Sequence, residues 1–268
     1  MMMMIAGTPA LTRALALAAC LIVAAPLRAG ELVPLRLAAE DWPPFVTASM
    51  PNNGLSGALV GAVFERIGYV VHIDYFPWKR TMELGLNSPR YAGFLAVWRT
   101  PEREKLCHFS HSIGSTQTVL AYLKEAPVQA AAVAGLRGLR VGTVAGYSNG
   151  EQFDAMAKAG ELKAEEGVND ETNLRKLLIR RFPAIVIERR VLRHLLAGGH
   201  FSKAERERIG FSDKLFKERP VHLCFKRSVD GLKLQQAFND AARDFDLLRI
   251  ERDYWRRIGE DLPQQPAQ

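Results

Sequence analysis

Segments with strand periodicity and segments with helix periodicity alternate along this chain of 268 residues, and this alternation constrains the fold most strongly. Residues 69–76 alternate along the chain and are rich in β-branched and aromatic types, which predicts a strand. Residues 59–67 place apolar side chains at helical spacing before Gly68, which predicts a helix that ends there. The strand–helix–strand order therefore predicts an α/β protein with largely parallel sheets.

The remaining elements follow from the same two patterns. Strands are expected at residues 35–39, 94–98, 107–109, 119–123, 139–144, 184–187 and 221–225. Helices are expected at residues 77–86 and 151–158. Another is expected to begin at Asn169 or Asp170 and to contain Leu178, and the helix after it should stop at Gly198. Two further helices should finish the fold near residue 258.

The first 29 residues are predicted to be a secretory signal peptide. They contain two arginines and no acid, and the apolar run at residues 14–25 is too short to span a bilayer as a helix. Cleavage is expected after Ala29, which places the protein in the periplasm. The alternatives are a single-span anchor and a lipoprotein that carries its lipid on Cys20.

Composition and missing motifs exclude several classes of function. The net charge of +7 is compatible with nucleic-acid binding, but the basic residues are scattered on predicted helical faces of an exported chain, so no nucleic-acid partner is expected. The three cysteines are too few for a zinc finger or an iron–sulfur cluster. The sequence contains no nucleophile elbow and no phosphate-binding glycine loop, and no histidine has a metal-ligand pattern. We therefore expect neither a cofactor nor a metal, and no enzymatic activity.

Several residues at predicted strand ends suit a small charged ligand, because open α/β sheets bind ligands at the carboxyl ends of their strands. These segments are DWPPF at 41–45, Trp78, RTPER at 99–103 and GYSN at 146–149. An arginine grips a carboxylate with two hydrogen bonds, and a helix N-terminus favours an anion. Glu188 ends a buried strand, where it is placed to bind an ammonium group.

Each of these residues also has a purely structural interpretation. Trp42 and Trp78 would then be partly buried aromatics and Arg103 a surface arginine. Ser148 would be a helix cap, and Glu188 the solvated start of a helix.

The ordered set of motifs resembles the periplasmic solute-binding proteins of family 3, which bind polar amino acids for ABC importers. The resemblance covers nearly all of the chain after the signal peptide. The matching segments are WPPF at 42–45, GALV at 57–60, TPER at 100–103 with FS at 109–110, RVG at 140–142, GYS at 146–148 and DYW at 253–255.

The resemblance implies a two-lobed, type II periplasmic-binding-protein-like fold. Each lobe would be a mostly parallel sheet flanked by helices, and two strands would form the hinge. The first lobe would comprise residues 30–117 and return at 218–268, and the second lobe would comprise 118–217. The crossings are expected near residues 115–120 and 216–220.

By the same resemblance, Arg103 would bind the α-carboxylate of the ligand together with Ser148 and the amides of the loop that contains Tyr147. Glu188 would replace the aspartate that binds the α-ammonium, and Trp42 and Trp78 would enclose the rest of the ligand. Trp98 stands where the family often has a serine or threonine, and the acid that usually precedes the glycine of the third strand is replaced by Ala92. These departures narrow the pocket and make it less polar.

The resemblance also implies that Cys107 and Cys224 are neighbours, either disulfide-bonded or as two buried free thiols. The function it implies is an exported, monomeric binding protein that delivers an amino-acid-like ligand to an ABC transporter permease. The alternatives are a periplasmic dehydratase of the cyclohexadienyl type on the same fold and a ligand-binding partner of a sensor.

Overall fold

The computed structural model describes residues 31–259. The signal peptide predicted at 1–29 and the lipid site at Cys20 lie outside the described residues. No helix within 31–259 combines the length and the apolar character needed to cross a membrane.

Strands and helices alternate along the described chain. The strands are β1 (Val33–Ala39), β2 (Tyr69–Tyr75), β3 (Gly93–Trp98), β4 (Cys107–Phe109), β5 (Ser115–Thr116), β6 (Thr118–Leu123), β7 (Arg140–Val144), β8 (Lys163–Gly167), β9 (Ala184–Glu188), β10 (Ile209–Ser212) and β11 (Arg219–Lys226). The helices are α1 (Gly54–Arg66), α2 (Trp78–Asn87), α3 (Pro101–Glu104), α4 (Glu151–Lys158), α5 (Asp170–Leu178), α6 (Arg189–Ala197), α7 (Lys203–Arg208), α8 (Val229–Arg243) and α9 (Leu247–Ile258). Short 3₁₀ helices occur at Pro51–Asn53 and Val133–Leu136.

The strands form two sheets. The first has the order β2-β1-β3-β11-β4, and the second has the order β10-β6-β9-β7-β8. We call the first sheet with α1, α2, α3, α8 and α9 the first lobe, and the second sheet with α4 to α7 the second lobe. Strands β1, β2 and β3 are mutually parallel, as are β7, β8 and β9, so the predicted parallel arrangement holds for three strands of each sheet. The strands β11, β6 and β10 add antiparallel pairs, because the chain crosses between the lobes there.

The two crossing segments pair with each other. In β5, Ser115 and Thr116 oppose Pro220 and Arg219 of β11 in an antiparallel ladder. These short strands fall within residues 115–120 and 216–220, the ranges that the family resemblance implies for the connections between the lobes. Hinges consist of a few residues in loops or at the ends of elements, and both crossings are short segments of this kind.

A disulfide joins Cys107 of β4 to Cys224 of β11, across 117 residues of sequence. Both cysteines are buried, and the two strands are neighbours in the first sheet. The bond therefore closes a loop that contains the entire second sheet.

The core of the first lobe lies between its sheet and the helices α1, α8 and α9. Its largest fully buried side chains include Phe64, Phe225, Phe238 and Trp255. The loop after β1 is bound to the start of α1, where the amides of Leu55 and Ser56 donate to the carbonyls of Pro44 and Phe45. This packing fixes the loop that contains Trp42.

Three elements of the second lobe were not expected from the sequence. The strand β8 is polar and lies at an edge of its sheet, so it lacks the apolar alternation of a half-buried strand. The strand β10 is the other edge, and the six-residue helix α7 has no buried residue.

Candidate functional site

The loop after β7 enters a cleft formed by the carboxyl ends of β1 and β3. Gly146 allows this approach: its φ is +80°, and a side chain there would crowd the Trp78 ring, whose nearest atom lies 3.3 Å from the position of a Cβ. Tyr147 follows and extends into the first lobe.

Tyr147 fills the space between two tryptophans. Its ring meets Trp78 and Trp98 edge-on, with ring centroids 5.7 and 5.6 Å apart. Its hydroxyl donates a hydrogen bond of 2.5 Å to the Glu40 carboxylate. The recess that remains beside these rings has a volume of only about 10 Å³, barely enough for one water molecule. Trp42 completes the cluster by contacting Trp98 edge-on at 5.6 Å.

Arg103 is buried and bonded to backbone carbonyls. Helix α3 positions it, with Thr100 as the N-cap residue. The guanidinium donates to the carbonyl oxygens of Trp98 at 2.8 Å and of Gly146 at 3.0 Å, and it lies over the Trp78 ring. Burial lowers the pKa of Arg103 to about 10. Arg103 therefore joins the two lobes.

The loop that was expected to bind an anion is bonded to a carboxylate of its own helix. Ser148 donates through its hydroxyl to Asp154 at 2.8 Å, and the amide of Asn149 donates to the same carboxylate at 2.9 Å. The Ser148 carbonyl accepts from Arg219 at 3.0 Å, and the Arg219 guanidinium lies over the Trp98 ring.

Glu188 is the N-cap residue of α6. Its carboxylate accepts from the amides of Arg190 and Val191 and from the amide of Gln117, at 2.5, 2.9 and 3.1 Å. Only 3% of Glu188 is exposed, and burial raises its pKa to about 7. These contacts agree with the structural interpretation, in which Glu188 starts a helix. The residue is buried, however, whereas that interpretation expected it to be solvated.

A cavity of about 210 Å³ lies between the lobes beside this cluster. Its walls include Glu40, Asp41 and Trp42 from the first lobe and Asn169, Asp170 and Glu171 from the second. Helix α6 contributes His194, and His200 follows it in the chain. Residues of both lobes therefore enclose a space large enough for a small molecule.

Two buried acids of this cavity have raised pKa values. Burial raises the pKa of Glu40 to about 8, and the Tyr147 hydroxyl opposes this rise while the charges of Asp170 and Asp41 add to it. Burial raises the pKa of Asp170 to about 7, and the Trp42 indole opposes this rise. The buried Trp42 N–H nevertheless reaches no acceptor at hydrogen-bond distance.

The structure brings Trp42, Trp78, Trp98, Arg103 and Tyr147 into one cluster. Ser148 adjoins this cluster but is bonded to its own helix, and Glu188 is bonded to backbone amides. The sequence interpretation did not single out Glu40, Asp170 or Asp154. A signal existed for Glu40, which directly follows β1, and for Asp170, which begins α5 at the end of β8.

The two sheets, the paired crossings and the cavity define the class: a two-lobed α/β protein with a cleft between the lobes. Solved structures share this fold. An ancestral arginine-binding protein bound to arginine matches with a TM-score of 0.70 at 18% identity, over 85% of this chain and 98% of that one. An ABC uptake transporter substrate binding protein from Streptococcus pneumoniae with bound histidine matches with a TM-score of 0.68 at 17% identity, over 87% of this chain and 95% of that one.

A third structure is an ancestral amino acid-binding protein that is a precursor of cyclohexadienyl dehydratase. It matches with a TM-score of 0.65 at 16% identity, over 84% of this chain and 94% of that one. The sequence itself matches no protein-family model and no curated protein. The predicted two-lobed, periplasmic-binding-protein-like fold is confirmed.

Proposed function

We propose that this chain is an exported solute-binding protein that captures a small polar ligand between its lobes and delivers it to the permease of an ABC importer. The observation that carries the proposal is the cavity whose walls come from both lobes. The direct bonds between the lobes, from Tyr147 to Glu40 and from Arg103 to Gly146, support a cleft that opens and closes about the paired crossings.

The proposed lobe boundaries are 30–117 and 218–268 for the first lobe and 118–217 for the second. Sheet membership supports them, because β1 to β4 and β11 form one sheet and β6 to β10 form the other. The proposed localisation is the periplasm, and the proposed state is a monomer.

The proposed ligand site centres on Trp42, which lines both the aromatic recess and the cavity. Trp78, Trp98 and Tyr147 line the recess, and together with Arg103 they hold the two lobes together. In this proposal Ser148 and Glu188 shape the site rather than contact the ligand, because both side chains already have protein partners.

A dehydratase on the same fold is the second candidate. The observation that favours it is the buried Glu40 carboxyl, whose pKa of about 8 keeps it protonated at neutral pH, as a general acid requires. One solved structure of this fold is an ancestral amino acid-binding protein that is a precursor of cyclohexadienyl dehydratase.

A ligand screen separates these functions. The purified chain is unfolded and refolded to remove bound ligand, and its thermal unfolding is followed with the twenty amino acids, amines, dicarboxylates and prephenate-like acids. A true ligand at about 100 times its Kd adds roughly 2.7 kcal/mol to the free energy of unfolding. We expect one class to raise the Tm and to be recovered unchanged by mass spectrometry. Release of a dehydrated product would establish the second candidate instead, and a flat response to every compound would refute the binding function.

A further inference from the structure

The groups that would recognise a ligand carboxylate are already bonded within the protein. Arg103 donates to the carbonyls of Trp98 and Gly146. The Ser148 hydroxyl and the Asn149 amide donate to Asp154, whose carboxylate occupies the position of an anion at the start of α4. A ligand carboxylate at the start of α4 would have to displace Asp154, and at Arg103 it would find only the guanidinium N–H groups that the two carbonyls leave over.

The buried ionisable groups that face the open part of the cleft are acidic, and the two histidines of its lining, His194 and His200, are not buried. Glu40 and Asp170 are 8% and 6% exposed, and both line the cavity between the lobes. No Lys or Arg is among the described residues that line this cavity, although the chain as a whole has a net charge of +7. Glu171 is bonded to Arg175 on its own helix, which leaves Glu40 and Asp170 as the buried acids facing the space.

Besides the acidic lining of the cavity, the surroundings of the Asp170 carboxylate also point to a ligand. Among residues 31–259, the side-chain donor that faces its carboxylate is the Trp42 indole. The nearby Trp42 N–H does not reach it at hydrogen-bond distance. A buried acid without a partner costs several kcal/mol when ionised, unless a cation compensates it.

A metal ion does not fit this space. No group of three His, Cys, Asp or Glu residues in the described part of the chain is arranged to hold one. The cavity of about 210 Å³ is also far larger than the roughly 10–15 Å³ that one water-sized occupant needs. It is smaller than the roughly 300–1,000 Å³ of pockets for drug-sized molecules. A short organic cation has the matching size.

We propose that the cleft binds a small organic cation that carries amine or guanidine groups and no carboxylate, with Glu40 and Asp170 facing its charged groups. This inference rests on the proposed binding function and changes the ligand from an α-amino acid to an amine. Ion-paired N–H donors would give Asp170 the partner at hydrogen-bond distance that it lacks, and Trp42 lines the same cavity.

Matched ligand pairs test the inference directly. Agmatine differs from arginine, and cadaverine from lysine, only by the α-carboxylate. Isothermal titration of the refolded chain at pH 8 is expected to give each amine an affinity at least about tenfold higher than that of its parent amino acid. Equal affinities, or tighter binding of arginine or lysine, would overturn the inference while leaving the binding function intact. Failure of all four compounds, with another amino acid binding in the screen, would also overturn it. Failure of every compound would overturn both proposals.

Two variants test the assigned residues. Asp170→Asn is expected to weaken agmatine binding at least about tenfold, and Glu40→Gln is the second variant in case the first does not refold. Asp230→Asn is the matched control, because Asp230 is exposed in the first turn of α8 and does not line the cavity. An unchanged agmatine affinity in both cavity variants would show that these acids do not face the cation.

Discussion

Tyr147 determines how much of the cleft a ligand can use. Its ring fills the space between Trp78 and Trp98, and its hydroxyl is bonded to Glu40. The larger free volume lies next to Asp170 and is lined by Glu40 and Trp42 but not by Tyr147. Tyr147, although it already has a hydrogen-bond partner, therefore limits the size of the ligand that the cleft can hold.

Glu188 gives a prediction that separates a structural role from a ligand-binding role. In Glu188→Gln, the amide group faces backbone donors that the carboxylate now satisfies, so the free energy of unfolding should fall by about 1–3 kcal/mol. Urea unfolding measures this change. The control is Glu205→Gln in the exposed capping box of α7, which should cost only a few tenths of a kcal/mol. Unchanged stability combined with a lost ligand response would show that Glu188 binds the ligand.

The sequence predicted that the aromatic residues and Arg103 lie close together, because the carboxyl ends of parallel strands meet at one edge of a sheet. It did not reach the pairing of Ser148 with Asp154, because that contact depends on how the loop folds back onto the start of α4. It did not reach Asp170 either, because an acid in the first turn of a helix is common and needs no ligand to explain it.

The secondary structure elements that the sequence predicts are those that each have a buried, apolar face. The strands β1, β3 and β9 contain apolar runs because helices cover them. The cap residue of α5 is Asn169, one of the two residues predicted for that role. The strand β8 carries only a weak signal in its sequence, because its pairing with β7, rather than an apolar face, defines it. The pattern of hydrophobicity thus predicts the elements of the core better than those at the edges.

The disulfide between β4 and β11 should stabilise the fold through the length of the loop that it closes. For 117 residues of separation, the chain-entropy model gives about 4–5 kcal/mol, and measured values are more often about 2–4 kcal/mol. We expect the free energy of unfolding to fall by about 2–4 kcal/mol when the bond is reduced or when both cysteines are replaced, Cys107→Ala with Cys224→Ala. A lower urea midpoint measures this loss.

Thiol titration is the control for this prediction. The unfolded, unreduced full-length chain should have one reactive thiol, because two of its three cysteines are joined. Three reactive thiols would contradict the bond and the stabilisation attributed to it.

At the scale of the whole molecule, the buried acids should make the ligand-free protein less stable as the pH rises. Glu40, Asp170 and Glu188 have folded pKa values of about 8, 7 and 7, above their usual values, so between pH 6.5 and 8.5 the folded state binds more protons than the unfolded state. The free energy of unfolding then falls with increasing pH, by about 1 kcal/mol per unit for each group that ionises.

Thermal unfolding between pH 6.5 and 8.5 measures this dependence. At the lower end of this window the buried His222 has an effect of opposite sign, because burial lowers its pKa from 6.5 and unfolding then takes up a proton; this effect is lost by about pH 7.5. Glu40→Gln should flatten the curve, since Tyr147, Asp170 and Asp41 would then face an uncharged group. The exposed Glu83→Gln should leave the curve unchanged. A Tm that rises with pH across this window would contradict the assignment.

The aromatic cluster has one more consequence. Three of the four tryptophans of the chain, Trp42, Trp78 and Trp98, lie at the boundary between the lobes, and two of them contact the Tyr147 ring that comes from the opposite lobe. Separation of the lobes would take this ring away and admit water to the indoles. The intrinsic fluorescence of the unlabelled protein is therefore an optical reporter of cleft opening.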